Sequence, residues 1–302
     1  MGIEYKIRSF FLKIDQRDFL YSKILNFLYR ITNINKFLDR LKKKDIESFK
    51  DYQLNIDGFK QYQVDNNISN KVLSKLENII SSKDFKNKLG GKKNFLKSYR
   101  LDLFEKDNHI FFKLLFEENI LNRIIGYLGR NLTFAGASIL YSENITFEEG
   151  RSQNFHMDGE DLNQIKIFLY ISDVDENSGP LTVLSKLDSR KLYNKYDQNR
   201  LIKKKTIRIK DEILEKFSMK NCIHPLIGKK GTMNLVDTSN CYHFGSRPGK
   251  KPRYVLMYQF LNSFSYYLPM KKNNINKKLL DSEILNKKQI SIINNITQYQ
   301  KN

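Results

Sequence analysis

The sequence predicts an α+β protein in which helices come first and a β-sandwich or jelly roll follows. Three observations lead to this fold class. In the first part of the chain, apolar residues recur at steps of three or four, as on one face of a helix. From residue 131 onward, short alternating segments separated by turn residues take their place, as in antiparallel sheets. With 302 residues, of which 40% are apolar, the chain can bury a sizeable core.

We expect three regions along the chain. Residues 1–50 form a basic amphipathic helical segment, residues 51–265 form the main domain with an insertion at 186–225, and residues 266–302 form a tail rich in Lys and Asn. Within residues 8–44, apolar side chains follow the helical period and charged residues lie between them. Two interpretations stay open for this helix: it packs on the main domain, or it makes peripheral contact with an anionic membrane surface.

Helices are also expected in the first part of the main domain. The apolar residues of 68–80 recur at helical spacing, and Ser69 is expected to be the N-cap of this helix. A similar pattern predicts helix in residues 109–130. A short strand is predicted at 59–64, whereas the Lys-rich residues 83–98 are expected to form a loop.

Strands are predicted in the second part of the main domain, at Thr133–Tyr141, Gln164–Ile171, Leu181–Ser185, Gly231–Val236 and Arg253–Leu261. The segment Gln164–Ile171 alternates strictly, so that its aliphatic side chains share one face of the strand. The opposite face carries Lys166, Phe168 and Tyr170, and it lies either in the interior of the sandwich or toward solvent. A cluster of turn residues at 175–180 separates this strand from the next one.

The charge of the chain is strongly positive, with a net value of +20. One interpretation is an anionic partner, such as nucleic acid, an anionic membrane or a phosphorylated substrate. The other is a general drift of the composition toward Lys, Asn and Ile, which fits the scattered positions of the lysines. No specific nucleic-acid signal accompanies the charge.

Cysteine content and the N-terminal sequence favour a cytoplasmic location. The two cysteines, Cys222 and Cys241, cannot form a disulfide scaffold or a Cys-x-x-Cys zinc site. The first residues lack the apolar region of a signal peptide, and Lys6 occupies the position where a myristoylation signal requires Ser or Thr. We therefore expect a cytoplasmic protein, with the membrane-peripheral alternative of residues 8–44 kept open.

A set of metal-ligand residue types occurs in the strand-rich part of the chain. His156, Met157 and Asp158 form a His-x-Asp tripeptide, and residues two positions apart in an extended segment point to the same side. His243 follows the strand predicted at 231–236. Two imidazoles and one carboxylate occupy one face of an octahedron and leave three positions open, which is the arrangement of oxygen-activating iron(II) sites.

An arginine near His243 is the expected partner of an anionic cosubstrate. Arg253 begins an apolar strand ten residues after His243, and its planar group of donors suits a carboxylate. Arg247 is closer in sequence but lies in the turn Gly245–Gly249. We therefore favour Arg253 for this role and keep Arg247 as the alternative.

These motifs together resemble the phytanoyl-CoA dioxygenase family. The resemblance rests on Asn154–Asp158, on the segment Leu169–Leu181 with its Asn177-Ser178-Gly179-Pro180 turn, and on Gly231, His243 and Arg253. It covers roughly residues 50–265 and implies a double-stranded β-helix, a cupin-like jelly roll, with flanking N-terminal helices. The family often has Trp where this chain has Phe155, and it usually has Gly-Ser-His where Ser185-Lys186-Leu187 stands here.

The resemblance also implies a chemistry. Iron(II) would be held by His156, Asp158 and His243, and 2-oxoglutarate would chelate the iron and pair with Arg253. With O₂ as the other cosubstrate, such an enzyme hydroxylates a C–H bond and releases succinate and CO₂. Related halogenases have a small residue in place of the carboxylate, so Asp158 favours hydroxylation over halogenation.

Two further residues are predicted to contact the cosubstrate. Lys166 meets a carboxylate if its face of the strand lies inside the barrel. Tyr141, fifteen residues before His156, is expected to contact the cosubstrate or the substrate. The substrate itself is expected to be a small or lipid-like molecule, and an anionic one suits the charge.

Two alternatives stay open at this level. One is another branch of 2-oxoglutarate oxygenases, such as the taurine-dioxygenase-like enzymes. The other is a non-catalytic jelly-roll binding protein, which the intact set of His156, Asp158, His243 and Arg253 disfavours.

Overall fold

The structure is a computed structural model that describes residues 51–116, 119–129, 132–148, 151–160, 163–196, 208–262, 272–274, 282–287, 289–290 and 297–299, with Phe27 and Ile31. Residues 8–44, apart from those two, and most of the tail lie outside the described residues. Both interpretations of residues 8–44 therefore stay open, and the cytoplasmic location stays a prediction. None of the described helices has the length and apolar character needed to cross a membrane.

Helices occupy the first part of the described chain and an interval between strands. They are α1 (Tyr52–Asp57), α2 (Asn67–Ser81), α3 (Lys83–Lys88), α4 (His109–Phe116), α5 (Ile120–Leu128), α6 (Lys186–Tyr196) and α7 (Asp211–Lys216). The strands are β1 (Phe59–Gln63), β2 (Gly90–Lys93), β3 (Leu96–Leu101), β4 (Leu132–Ser142), β5 (Gln164–Tyr170), β6 (Thr182–Leu184), β7 (Ile223–Pro225), β8 (Thr232–Val236), β9 (His243–Phe244), β10 (Arg253–Asn262), β11 (Lys272–Asn274) and β12 (Thr297–Tyr299).

Two sheets make up the β-domain. The large sheet has the order β1-β8-β5-β10-β4-β12-β11, with the β2–β3 hairpin joined to β4, and the small sheet has the order β7-β6-β9. All neighbouring strands from β1 to β4 along this path pair antiparallel. Sequentially distant strands are neighbours, as β5 is of β10, which is the crossing pattern of a jelly roll. The predicted fold class is confirmed.

Strand β5 shows how the sequence divides the large sheet into two faces. Ile165, Ile167 and Leu169 are fully buried in a core shared with α2, α4 and α5. Burying a side chain of this size contributes about 1.5–3 kcal/mol. Lys166, Phe168 and Tyr170 point to the opposite face and line a cavity. The predicted alternation is confirmed. The face with Lys166, Phe168 and Tyr170 lies in the interior of the sandwich and not toward solvent.

Two local predictions were wrong. Helix α2 is capped by Asn66, whose side chain accepts from the Ser69 amide, while the Ser69 hydroxyl accepts from the Asn66 amide in a capping box. Residues 83–98 do not form a loop: they contain α3, β2 and the start of β3. Pairing of β3 with β4 supplies the backbone hydrogen bonds that the Lys-rich sequence alone does not predict.

A second hydrophobic core lies behind the small sheet. It includes Phe155, Leu192, Tyr242 and Phe244, and helices α6 and α7 contribute to it. The rings of Phe155 and Phe244 meet edge to face with their centroids 4.7 Å apart. Phe155 and Phe244 are each adjacent in sequence to a predicted metal ligand, and they pack against residues of the 186–225 interval. This packing therefore helps to fix the backbone of the site.

Candidate active site

The backbone brings the three predicted metal ligands together. His156 and His243 form an antiparallel bridge in which each backbone amide donates to the other's carbonyl, at 3.0 Å and 2.9 Å. The amide of Asp158 donates to the carbonyl of Thr238 at 2.8 Å. The positions of all three ligands are therefore set by main-chain hydrogen bonds between distant segments.

The side chains of this triad converge on one point. The Nε2 atom of His156 lies 3.7 Å from Oδ1 of Asp158, and the Nε2 atom of His243 lies 3.6 Å from Oδ2. One ligand atom from each residue lies within 4.8 Å of the others. Atoms bound to one ion at about 2 Å are separated by roughly 3–4 Å. The donor set of two imidazoles and one carboxylate therefore fits a single iron(II) ion.

Backbone carbonyls orient both imidazoles. The Nδ1 atom of His156 lies 3.0 Å from the carbonyl of Asn154, and Nδ1 of His243 lies 2.9 Å from the carbonyl of Cys241. A carbonyl can only accept, so Nδ1 carries the proton and Nε2 keeps its lone pair for a metal. Burial, with the second imidazole nearby, lowers the pKa of His156 to about 3, and burial lowers the pKa of His243 as well. Both rings are thus neutral, which is the form that binds metal.

A lysine neutralises the carboxylate of the triad. Lys166 Nζ lies 2.7 Å from Oδ2 of Asp158 and 3.7 Å from Oε1 of Glu160. Burial opposes ionisation of Asp158, but Lys166, His243 and His156 together outweigh it, so the pKa of Asp158 lies below its usual range. Burial likewise disfavours the charged form of Lys166, yet Asp158 and Glu160 raise its pKa above the ordinary value. The pair is therefore ionised at neutral pH.

A buried guanidinium lies on the same cavity. Arg253 begins β10 and is 7% exposed, and its Nη2 donates to the hydroxyl of Ser246 at 3.0 Å. A Cβ atom at Gly245 would lie 3.3 Å from this Nη2, so the glycine leaves room for the guanidinium. Burial lowers the pKa of Arg253. Arg253 forms no ion pair with any carboxylate of the described residues, which leaves its charge available to an anionic ligand.

The triad and Arg253 open onto one cavity of about 140 Å³. Its walls combine charged groups near the triad with aromatic and aliphatic side chains along β4, β5 and β10. The lining residues are Lys93, Leu96, Leu140, Ser152, His156, Asp158, Lys166, Phe168, Tyr170, Leu181, His243, Gly245, Ser246, Arg253, Val255 and Met257. The predicted metal ligands and Arg253 therefore face the same cavity.

The prediction for Tyr141 needs correction. Its ring stacks on Tyr254 with the centroids 4.7 Å apart, and both rings pack against the core under the helices. Leu140, one position earlier on β4, lines the cavity instead. Successive residues of a strand face opposite sides of the sheet, so Tyr141 points away from the site.

Arg247 lies outside the cavity. Its two terminal nitrogens bind Asp211 at 2.7 Å and 2.8 Å, and its guanidinium stacks on the ring of Phe244. Its Nε donates to the carbonyl of Gln153, whose side chain in turn donates to the carbonyl of Ser246. Arg247 and Gln153 thus support the loop that presents Ser246 to Arg253.

Lys93 and Ser152 line the cavity although sequence reasoning did not single them out. Lys93 lies in the stretch that was expected to be a loop, and Ser152 lies in the segment that leads to His156. Ser246 lies in the turn Gly245–Gly249 and was not predicted to take part in the site. The one signal in the sequence was the position of Ser152, four residues before a predicted ligand.

Comparisons with solved structures find partial similarity at low sequence identity. EctD from S. alaskensis, solved with 2-oxoglutarate and 5-hydroxyectoine, is 12% identical over 68% of this chain and 73% of that chain, with a TM-score of 0.46. HygX from Streptomyces hygroscopicus, solved with nickel, 2-oxoglutarate and hygromycin B, is 12% identical over 72% and 88%, with a TM-score of 0.46. The epimerase SnoN, in complex with Fe³⁺, alpha ketoglutarate and nogalamycin RO, is 10% identical over 70% and 81%, with a TM-score of 0.48. No family model and no curated protein matches the chain.

Proposed function

We propose that the protein is an iron(II)- and 2-oxoglutarate-dependent dioxygenase that hydroxylates an unactivated C–H bond of a small or lipid-like molecule. The observation that supports it is one cavity with a His-Asp-His triad and a buried arginine that lacks a carboxylate partner among the described residues. The triad suits iron with open positions, and the arginine suits the distal carboxylate of 2-oxoglutarate. Membership of the phytanoyl-CoA dioxygenase family is part of this proposal and rests on the sequence motifs.

Each residue of the site has a defined part in this chemistry. When bound, iron(II) with 2-oxoglutarate and O₂ supplies the oxidising power that yields hydroxylated product, succinate and CO₂. His156 and His243 would hold the ion through Nε2, and Asp158 would supply the charged ligand. Lys166 would donate a hydrogen bond to Oδ2 of Asp158. Arg253 and the hydroxyl of Ser246 would fix the cosubstrate.

The cavity walls serve to shield the reaction. Phe168, Tyr170, Leu181 and Val255 present apolar surface toward the space between the triad and Arg253. Such a wall excludes bulk water, which strengthens the electrostatic contacts inside and protects a reactive centre from side reactions. Retention of Asp158 as a ligand supports hydroxylation as the outcome.

The proposal is tested on protein loaded with Fe(II) and 2-oxoglutarate without air. We expect the visible absorption band of the ferrous 2-oxoglutarate chelate, followed by slow release of succinate after O₂ is admitted. Asp158→Ala and His243→Ala are expected to lose both signals. His224→Ala, which removes an exposed imidazole on β7, is the matched control and keeps them.

Two results would redirect the assignment. Binding of 2-oxoglutarate with no succinate release would support a jelly-roll binding protein. Failure of the folded wild-type protein to bind iron would contradict the proposal.

A further inference from the structure

The cavity carries more positive charge than the proposed cosubstrate explains. Lys93, Lys166 and Arg253 line it, and Asp158 is the one carboxylate among the described lining residues. Lys166 is already paired with Asp158 at 2.7 Å. In the proposed function, Arg253 and the metal take the two carboxylates of 2-oxoglutarate. The charge of Lys93 is then left without a partner.

Lys93 is held in place without being neutralised. Its Nζ donates to the hydroxyl of Ser152 at 2.6 Å and lies 5.6 Å from the centroid of the Phe95 ring. Neither contact supplies a negative charge, and no carboxylate of the described residues pairs with Lys93. The hydroxyl of Ser152 accepts from the ammonium, so its own hydrogen remains free to donate to an oxyanion.

Other cations surround Lys93 and make its environment unfavourable for positive charge. Burial lowers the pKa of Lys93, and Arg208, Lys166 and Arg151 lower it further, against the opposing effect of Asp158. A partly buried cation among like charges is unfavourable unless a counter-charge is present. Asp158 is already paired with Lys166, so an incoming anion would relieve this repulsion further.

We propose that Lys93 and Ser152 form a subsite that binds an oxyanion group of the substrate, either a carboxylate, a sulfate or a phosphate. The ammonium supplies the charge and the serine hydroxyl supplies a second donor. The subsite lies in the same cavity as the triad, so it would place the reacting carbon of an anionic substrate near the metal ligands. The assignment of the bound anion as substrate depends on the proposed dioxygenase function, whereas the binding of an anion does not.

The test uses inorganic phosphate as the probe and protein loaded with Zn²⁺ and saturating 2-oxoglutarate, so no turnover occurs. Phosphate bound to the slowly tumbling protein gives a broadened phosphorus NMR signal. We expect broadening with the wild-type protein and roughly tenfold weaker binding for Lys93→Met, because a charge-assisted hydrogen bond is lost. Ser152→Ala is expected to weaken binding less, since the ammonium remains.

Lys97→Met is the matched control. It removes the same charge from the adjacent strand β3, where Lys97 lies 3.5 Å from Glu143 in an exposed pair. We expect wild-type binding for this variant. Equal loss in Lys93→Met and Lys97→Met would show non-specific binding to a basic protein and would overturn the subsite.

Competition between 2-oxoglutarate and phosphate tests whether Lys93 belongs to the cosubstrate site. If saturating 2-oxoglutarate abolishes the phosphate binding that depends on Lys93, measured as the difference between the wild-type protein and Lys93→Met, Lys93 belongs to the cosubstrate site and the proposal is wrong. Phosphate binding is also measured on the metal-free protein, so that the test of the subsite does not depend on the proposed dioxygenase function. Lys93-dependent phosphate binding in a protein that makes no succinate would support the subsite while contradicting the dioxygenase.

Discussion

The two ends of the cavity differ in whether their buried cation has a carboxylate partner. At the triad, the ammonium of Lys166 lies 2.7 Å from Asp158, and Glu160 lies within 3.7 Å. At the other end, Arg253 binds the hydroxyl of Ser246, and no described carboxylate reaches it. Both cations are largely shielded from water. One end is therefore neutralised within the protein, and the other is prepared for an anion that arrives from outside.

This difference has an energetic consequence. A buried charge without a partner costs several kcal/mol in the folded state, and a bound carboxylate offsets part of that cost. The ligand binds the folded state and stabilises it by mass action. The Arg253 end should therefore respond strongly to 2-oxoglutarate, and the Lys166 end should respond to the metal.

The largest effect is expected from removal of the unpaired cation. Arg253→Met should weaken 2-oxoglutarate binding roughly 100-fold, equivalent to about 2.7 kcal/mol, because charge-assisted hydrogen bonds to the distal carboxylate are lost. Calorimetric titration of the Zn²⁺-loaded protein measures this. Metal affinity should stay close to the wild-type value, since Arg253 does not contact the triad.

Arg247→Met is the control for this comparison. Arg247 lies six residues earlier and is engaged with Asp211 at 2.7 Å outside the cavity. Its loss should leave 2-oxoglutarate affinity unchanged. If both arginine variants weaken binding equally, Arg253 has no special place in the site.

A smaller effect is expected at the neutralised end. Lys166→Met removes the partner that orients Asp158, and loss of such partners typically weakens metal binding by about 10- to 100-fold. We expect about 10-fold weaker Fe(II) binding, measured by competition with a chelating dye. Affinity for 2-oxoglutarate should change less than in Arg253→Met.

Lys166→Arg sharpens the interpretation, because a guanidinium can still reach a carboxylate and should restore part of the metal affinity. Lys230→Met removes a cation from an exposed pair with Glu77 and serves as the control. Tighter iron binding in Lys166→Met would mean that repulsion between two cations outweighs orientation, contrary to our expectation.

The sequence predicted the grouping of His156, Asp158 and His243 better than it predicted the walls of the cavity. The triad could be found because the chain has only four histidines, one of them in a His-x-Asp tripeptide. In Gln164–Ile171, aliphatic and non-aliphatic residues alternate, so the pattern itself separates the two faces. Leu140 and Tyr141 are both apolar, and nothing local tells which one faces the cavity. The pairing of β4 with β10 decides it.

Lys93 was missed for a different physical reason. The segment Gly90–Lys93 is polar and contains two glycines, which is typical of a loop. It becomes a strand because β2 pairs with β3, and β3 pairs with β4. Contacts between distant parts of the chain place Lys93 at the cavity, and local propensity does not encode them. The same holds for Ser246, whose carbonyl accepts a hydrogen bond from the side chain of Gln153.

The smallest expected effect is a pH dependence of stability in the metal-free protein. The pKa of His156 falls from 6.5 when exposed to about 3 in the folded state. Between these values the unfolded chain binds a proton that the folded protein does not, so stability falls as pH decreases below about 6.5. For His156 alone the loss from pH 7 to pH 6 is about 0.7 kcal/mol. Burial shifts the pKa of His243 in the same direction and adds to the loss.

Chemical unfolding of the metal-free protein at pH 7 and pH 6 measures this loss. The variant carrying His156→Gln and His243→Gln should show a flatter dependence, because the imidazoles that take up the protons are gone. His224→Gln, at an exposed position, should keep the wild-type slope. Asp158 responds in a lower range: its folded pKa is depressed, so its contribution is complete above the unfolded value and is lost only in stronger acid. If stability depends on pH as strongly in the double variant as in the wild-type protein, other groups titrate in this range. That result would contradict the lowered pKa values of the two imidazoles.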